Sequence, residues 1–370
     1  MIPRRLHLLP CALLLCILTL LGAIFLFAVG IDALQGRSDF QFFADSNTYH
    51  EAASGGIPTI QGIGDAIAIT GNFLGPLLIL WLAGENDYVV LVLNAVLMYL
   101  SIRIIAKSLG LDALRLLIVL LLNPLTISSL LSVNKEILSV LFLALLIRAY
   151  CNRSVLTFIL AMAVSVLVRW QLTVFFLILI GLTGRWNPVR RHRGVSIVLL
   201  LLALSALYVA LAPILEPVQV NFESAAAEYE GSGFYEWLID VQNAGLYWLI
   251  FPLKAAHLLF GSGLRMDRLL NPTEIYNDVW QLLHSTATLV LFVFLWRARR
   301  ARLANDLFFI SVVYVAVFAI TPIYAARYFY MVYVLWAVAL VSRTPFPPLI
   351  GSRAKGLTRG RASHAFGLST

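Results

Sequence analysis

Ten continuous apolar blocks follow one another along this chain. Each runs to roughly 15–22 residues, about what a helix needs to cross a ~30 Å hydrocarbon core. They fall at 8–30, 88–106, 114–132, 137–151, 154–168, 170–184, 194–213, 278–296, 307–323 and 327–342. Strands of a membrane barrel would alternate apolar and polar residues over short segments, and these blocks do not alternate. With 61% hydrophobic and only 12% charged residues among 370, little chain is left over for a soluble domain. The expected fold is therefore all-α: a polytopic integral membrane protein with about ten transmembrane helices.

Charge then sets the orientation. Taking the N-terminus as cytoplasmic, the inner segments collect Arg4 and Arg5; Arg103, Lys107 and Arg115; Arg148 and Arg153; Arg185, Arg190, Arg191 and Arg193. Arg297, Arg299, Arg300 and Arg302 follow, then Arg343, Arg353, Lys355, Arg359 and Arg361. These are most of the 27 Lys and Arg, and only Asp112 and Asp306 of the 19 acids fall with them. Basic residues accumulate on the cytoplasmic side of membrane proteins, so both termini are expected inside. Two further apolar stretches, 66–83 and 243–262, are read as interfacial or re-entrant helices on the outer face, because counting 66–83 as a crossing would export four basic clusters. The run 155–183 is too long for one crossing and is interrupted by Arg169 and Gln171, which predicts a tight hairpin with Arg169 at its outer tip. Residues 1–344 then form one membrane domain with large outer segments at 31–87 and 214–277, the latter acidic and turning at Gly231-Ser232-Gly233. The Gly-, Arg- and Ser-rich tail 345–370 reads as a disordered cytoplasmic extension.

The net charge of +8 does not imply a nucleic-acid partner, since its distribution is that of membrane topology, and the lipid bilayer is the first partner expected. Cys11, Cys16 and Cys151 lie in or beside apolar blocks and suggest no disulfide framework. The run 8–30 exceeds the apolar core of a signal peptide and is followed by a poor cleavage site, so it is read as an uncleaved first span. Walker, dinucleotide-binding and serine-elbow motifs are absent.

Candidate chemistry gathers at the outer edge. Asp45 lies shortly after the first block, in Asp45-Ser-Asn-Thr-Tyr49-His50-Glu51. A carboxylate at the bilayer edge suits a general base, its pKa raised by partial desolvation; the structural alternative is a helix N-cap. Arg169 and Arg327 stand at span ends against the charge bias, and Lys135 lies beside Glu136 in an outer loop. Charges near hydrocarbon are costly and tend to mark function. Guanidinium forks suit phosphate oxygens, with Lys as a point charge. The structural alternatives are snorkelling to headgroups and pairing with Glu136 or Asp278. Lys254, Arg265 and Arg268 read as scattered loop basics. His50, His257 and His284 show no metal-ligand spacing. Outer aromatics such as Trp237 and Trp248 fit an interfacial belt as well as a sugar-stacking role.

The order of these features resembles the GT-C superfamily of polytopic membrane glycosyltransferases, in its protein-mannosyltransferase and aminoarabinose-transferase-like branch. Asp45 with Tyr49 resembles that family's acidic motif after the first span. Gly71-Asn72-Phe73-Leu74-Gly75-Pro76-Leu77 looks like its juxtamembrane helix, and Leu82-Ala83-Gly84 like the turn before its second span. Arg103 to Gly110 is similar to the basic turn that ends that span. Asn123-Pro124 resembles the end of its third, ahead of an outer loop like Ser132-Val-Asn134-Lys135-Glu136. Val168-Arg169 and Ala326-Arg327-Tyr328 resemble its Arg-ended fifth span and its late Arg-Tyr start. About 340 residues are covered in order. A departure is that many members carry two adjacent acids where this chain has Asp45 followed by Ser46, which weakens a metal-assisted site.

The resemblance implies an enzyme of the bacterial inner (plasma) membrane, with a periplasmic or extracellular active site. It would move a sugar from a polyprenyl-phosphate-linked donor to an envelope glycan, lipid or protein acceptor. Asp45 would be the catalytic base, and Arg169, Arg327 and Lys135 would bind the donor phosphate. Tyr49, His50, Glu51, Glu136 and Tyr328 would support them. No metal-ligand residues are assigned, and a divalent cation is the one cofactor left open. The rival readings are a polysaccharide polymerase of the O-antigen or exopolysaccharide type, and a lipid-linked-oligosaccharide flippase or transporter.

Overall fold

The structure is a computed structural model and describes residues 6–30, 45–55, 63–184, 186–189, 191–210, 234–261, 279–321 and 326–342. Among them every regular element is helical. The elements are α1 (Leu8–Val29), α2 (Ser46–Gly55), α3 (Ile63–Ala83), α4 (Asp87–Leu109), α5 (Ala113–Leu121), α6 (Pro124–Leu131), α7 (Glu136–Asn152), α8 (Val155–Val168) and α9 (Trp170–Thr183). They continue with α10 (Arg193–Ala210), α11 (Phe234–Asn243), α12 (Tyr247–Phe260), α13 (Gln281–Arg297), α14 (Asp306–Ala319), a 3-10 turn at Ala326–Phe329 and α15 (Tyr330–Val341). The outer segment 214–277 lies largely outside the described residues, as do the Gly231-Ser232-Gly233 turn, Arg265, Arg268, Asp278 and the tail 345–370.

Sequence fixes several of the helix starts through short polar side chains that accept the orphan N–H groups of a first turn. Asn86 accepts from Tyr88 and Val89, Asp112 from Leu114 and Arg115, Ser154 from Thr157, and Asn305 from Leu307 and Phe308. Gly110 closes α4 in the left-handed region (φ 64°), where a side chain would be strained.

Among the described residues three helices are long and apolar enough to cross a membrane, namely α1, α4 and α10, at 22, 23 and 18 residues. A fourth crossing is reached if α5 and α6 count as one span. The other apolar helices run to 10–17 residues, below the ~20 that a full perpendicular crossing takes. Helix length among the described residues thus supports three or four of the ten expected crossings.

The block 114–132, expected as one span, is corrected to two helices meeting at 96°. Proline disfavours the helical conformation in the residue before it, and Asn123 accordingly adopts φ −100°, ψ 122°. Its side chain caps the new helix at the Leu125 N–H, with Pro124 in the first helical position. The expected hairpin at 155–183 is present as a chain reversal: Arg169 is extended (φ −163°, ψ 131°) between α8 and α9. Phe158 of α8 stacks on Phe176 of α9, and the Tyr150 and Thr183 hydroxyls meet at 3.0 Å. A continuous helix would hold Phe158 and Phe176 about 27 Å apart.

Burial differs sharply among equally apolar helices. In α15 every residue from Tyr330 to Ala339 is buried, as expected of a helix that is apolar all round and enclosed by neighbours. Those neighbours are α5, α7, α13 and α14. By contrast α1 leaves half of its residues exposed, Phe27 at 81%. Packing of α3 on α8 is close at Gly75, where a Cβ would come within 2.7 Å of the Leu167 carbonyl oxygen. That contact holds α3 beside the chain reversal at Arg169.

Candidate functional site

Four segments far apart in sequence bring their charges together. Asp45 immediately precedes α2, Lys135 and Glu136 begin α7, Arg169 lies between α8 and α9, and Arg327 with Tyr328 forms the turn before α15. Each position is a helix end because its neighbour there stops or starts a helix, so a charged side chain reaches the site without breaking a helical ladder.

Asp45 takes a left-handed backbone (φ 58°), a conformation that aspartate tolerates better than most residues. Its carbonyl accepts the Tyr49 N–H at 3.1 Å, which makes it the residue that opens α2. Its carboxylate, however, faces across the site and does not cap the helix. Arg327 Nη2 donates to Oδ1 at 3.1 Å and lies 3.0 Å from Oδ2, and the Tyr49 hydroxyl donates at 3.5 Å. Arg169 Nη2 donates to Glu136 Oε1 at 3.0 Å, so the pairing foreseen as a structural alternative is present. The Tyr328 ring carries both guanidiniums, with Arg169 Cζ 4.3 Å and Arg327 Cζ 5.3 Å from its centre. Lys135 Nζ stands 5.8 Å from the centre of the Tyr49 ring. Aromatic faces attract cations, which helps three positive charges share a small volume.

Among the described residues three cations and two carboxylates meet here, largely shielded from water. Arg169 is 4% and Lys135 6% exposed. The Nε of Arg169 is buried with no hydrogen-bond partner among the described residues, and neither Ser46 Oγ nor Gln171 Oε1 has one. A buried guanidinium with an unused N–H is a donor set aside for something else, since buried polar groups are nearly always satisfied.

Electrostatics correct one expectation. Burial pushes the Asp45 carboxyl upward, as anticipated, but Arg327 beside it and Lys135 and Arg169 further off outweigh burial and hold it at about 2. Asp45 is therefore a firmly ionised carboxylate and not a desolvated acid. Lys135 moves the other way. Burial, with Arg169 and Arg327 repelling its charge, outweighs Asp45 and Glu136 and brings it down to about 7. Burial works against the Arg169 charge, but Glu136, Tyr328 and Tyr314 together outweigh it and leave its pKa raised.

The remaining expected residues lie apart from this cluster. His50 pairs with Asp87 at 3.2 Å and so ties α2 to the start of α4. Glu51 is exposed on α2. Asp45 and Glu136 each face a guanidinium, and among the described residues no group of three or more His, Cys, Asp or Glu side chains could hold a metal ion.

Behind Arg327, sequence reasoning missed Gln281 and gave Asn123 and His284 no part in this site. Gln281, His284 and Asn123 are fully or almost fully buried and converge on the Ala326 peptide. The available signal was polarity inside apolar blocks, where such side chains are costly. No family model, no curated protein and no solved structure matches this chain.

Proposed function

We propose that this chain is a membrane glycosyltransferase that passes a sugar from a polyprenyl-phosphate-linked donor to a glycan, lipid or protein acceptor. The reading places about ten crossings in the bacterial inner membrane with both termini inside, and the Asp45 cluster at the outer face. The observation that carries it is the convergence of Asp45, Lys135, Glu136, Arg169 and Arg327 on one largely shielded site, where the Arg169 Nε–H has no hydrogen-bond partner among the described residues.

In this mechanism the donor phosphate enters beside Arg169 and Lys135 and draws Arg327 off Asp45. Guanidiniums suit phosphate oxygens, and the exchange trades one anion for another. Losing Arg327 lets the Asp45 pKa climb from about 2 toward the ordinary carboxylate range, so donor binding itself prepares the base. Asp45 then takes the proton of an acceptor hydroxyl, the acceptor oxygen bonds to the anomeric carbon, and the bond from that carbon to the phosphate oxygen breaks. The bonding electrons leave with the polyprenyl phosphate, whose new charge Arg169, Arg327 and Lys135 stabilise. Held donors of this kind act where charge develops and need no reorganisation.

The test is turnover of a polyprenyl-phosphate-linked sugar by the purified protein in lipid nanodiscs, read as released polyprenyl phosphate. Asp45→Asn should insert normally and lose about a hundredfold or more of turnover, the usual contribution of a positioned base. Glu51→Gln, exposed on the same helix, should stay near wild type. Full activity in Asp45→Asn would remove Asp45 from the mechanism.

A further inference from the structure

Arg327 is held by the peptide that precedes it, and that peptide is gripped at both ends. The Ala326 N–H opens the 3-10 turn, where a first donor has no partner within the turn; Gln281 Oε1 accepts it at 3.1 Å. The Ala326 carbonyl faces His284 Nε2 at 3.1 Å. Gln281 and His284 stand three residues apart at the start of α13 and so share one face of that helix.

The direction of each bond follows from the last. Asn123 Oδ1 accepts the Leu125 N–H at 3.0 Å, so its amide nitrogen must be the atom facing His284 Nδ1 at 2.7 Å. That nitrogen donates, so Nδ1 accepts and the ring proton sits on Nε2, facing a carbonyl that can only accept. The chain of bonds therefore runs in one sense from the α5–α6 break to the residue before Arg327. On the other side of Arg327, the Tyr314 hydroxyl donates to the Tyr328 carbonyl at 2.7 Å.

We propose that Gln281, His284 and Asn123 form a positioning brace that aims the Arg327 guanidinium at Asp45 and at the donor phosphate. None of the three touches the charged cluster; they act through the Ala326 peptide. The brace deepens the glycosyltransferase reading and rests on it for the phosphate, whereas the aim at Asp45 stands independently.

The experiment is a double-mutant cycle of Asp45→Asn and Arg327→Gln on purified protein in detergent, read as thermal midpoint. It is run in the wild-type, His284→Leu and His284→Gln backgrounds, with Gln281→Met as a second disruption should His284→Leu fail to fold. Contacting residues show measurable coupling, so the wild-type cycle should be non-additive. In the two disrupted backgrounds the coupling should fall by about half or more, and His284→Gln, which keeps a donor for the Ala326 carbonyl, should restore it. Binding of farnesyl methyl phosphate should weaken about tenfold in the disrupted variants and recover to within about threefold in His284→Gln, in line with the loss of a charge-assisted contact. A role in stability alone lowers every midpoint and leaves coupling and affinity as they were; that result overturns the brace, as does a wild-type cycle without coupling. Coupling that responds in a protein that does not bind the probe keeps the brace and refutes the donor reading.

Discussion

The N-terminal end of α15 carries Arg327 beside Arg169 and Lys135, whereas its C-terminal end meets Arg300, with Arg193 nearby at the starts of α10 and α14. Arg300 Nη1 donates to the Ala339 and Leu340 carbonyls at 2.5 and 2.7 Å, closing the last turn of α15. Arg193 pairs with Asp306, which opens α14, and donates to the Leu303 carbonyl at 2.6 Å. At that end the arginines serve backbone carbonyls and one acid, Arg300 as expected of a cation near a helix C-terminus. At the other end two arginines share an aromatic ring, and the buried Arg169 Nε–H has no partner among the described residues. Arginines at both ends belong to the same residue type and similar burial, so residue type does not separate a scaffold from a site; satisfaction does.

The largest effect that separates the two ends is on folding. Arg193→Ala strips Asp306, whose side chain is 4% exposed, of its guanidinium. Removing one partner of a buried pair costs about 3–5 kcal/mol, so the thermal midpoint should fall markedly. Binding of farnesyl methyl phosphate by the fraction still folded should change by less than about twofold, because no contact of the Asp45 cluster is altered. A loss of affinity without a loss of midpoint would erase the distinction between the ends.

A smaller effect is pH dependence, and its sign follows from Lys135. Burial disfavours its ammonium, so the site carries that charge below about pH 7 and loses it above. An anionic phosphodiester prefers the charged form, and the probe itself does not titrate in this range. Affinity should be greatest below about pH 7 and fall as pH rises, by at most about tenfold per unit for one proton. Calorimetric titrations from pH 6 to 9 should show this slope in wild type and a flat profile in Lys135→Met. An unchanged slope in the variant would move the titrating group elsewhere.

How far this site is readable from sequence depends on the kind of residue. Asp45, Lys135, Glu136, Arg169 and Arg327 stand out because a charge beside hydrocarbon breaks an apolar pattern. Their partners do not stand out: Asp45 finds Arg327 across 282 positions, and nothing local encodes that meeting. The direction of the Asp45 pKa was misread for the same reason, since burial is visible in one segment and the opposing cations come from three others. Asn123-Pro124 was legible as a helix end, yet the apolar run beyond it hid the 96° bend. Gln281 and His284 bond to a backbone peptide 42–45 residues away, and a backbone partner leaves no residue signature at all.

The central claim is that the Asp45 end binds a lipid phosphate while the opposite end only holds the fold. One matched substitution tests it: Arg169→Lys and Arg193→Lys, each keeping the charge opposite its acid and losing the planar fork. Binding of farnesyl methyl phosphate and the thermal midpoint are measured on the same preparations. A forked, charge-assisted contact contributes about 1.5–3 kcal/mol, so Arg169→Lys should weaken binding about ten- to a hundredfold at a nearly unchanged midpoint. Arg193→Lys should bind as wild type does and melt earlier. Equal affinity in Arg169→Lys and wild type, or an equal loss of affinity in both variants, would contradict the assignment.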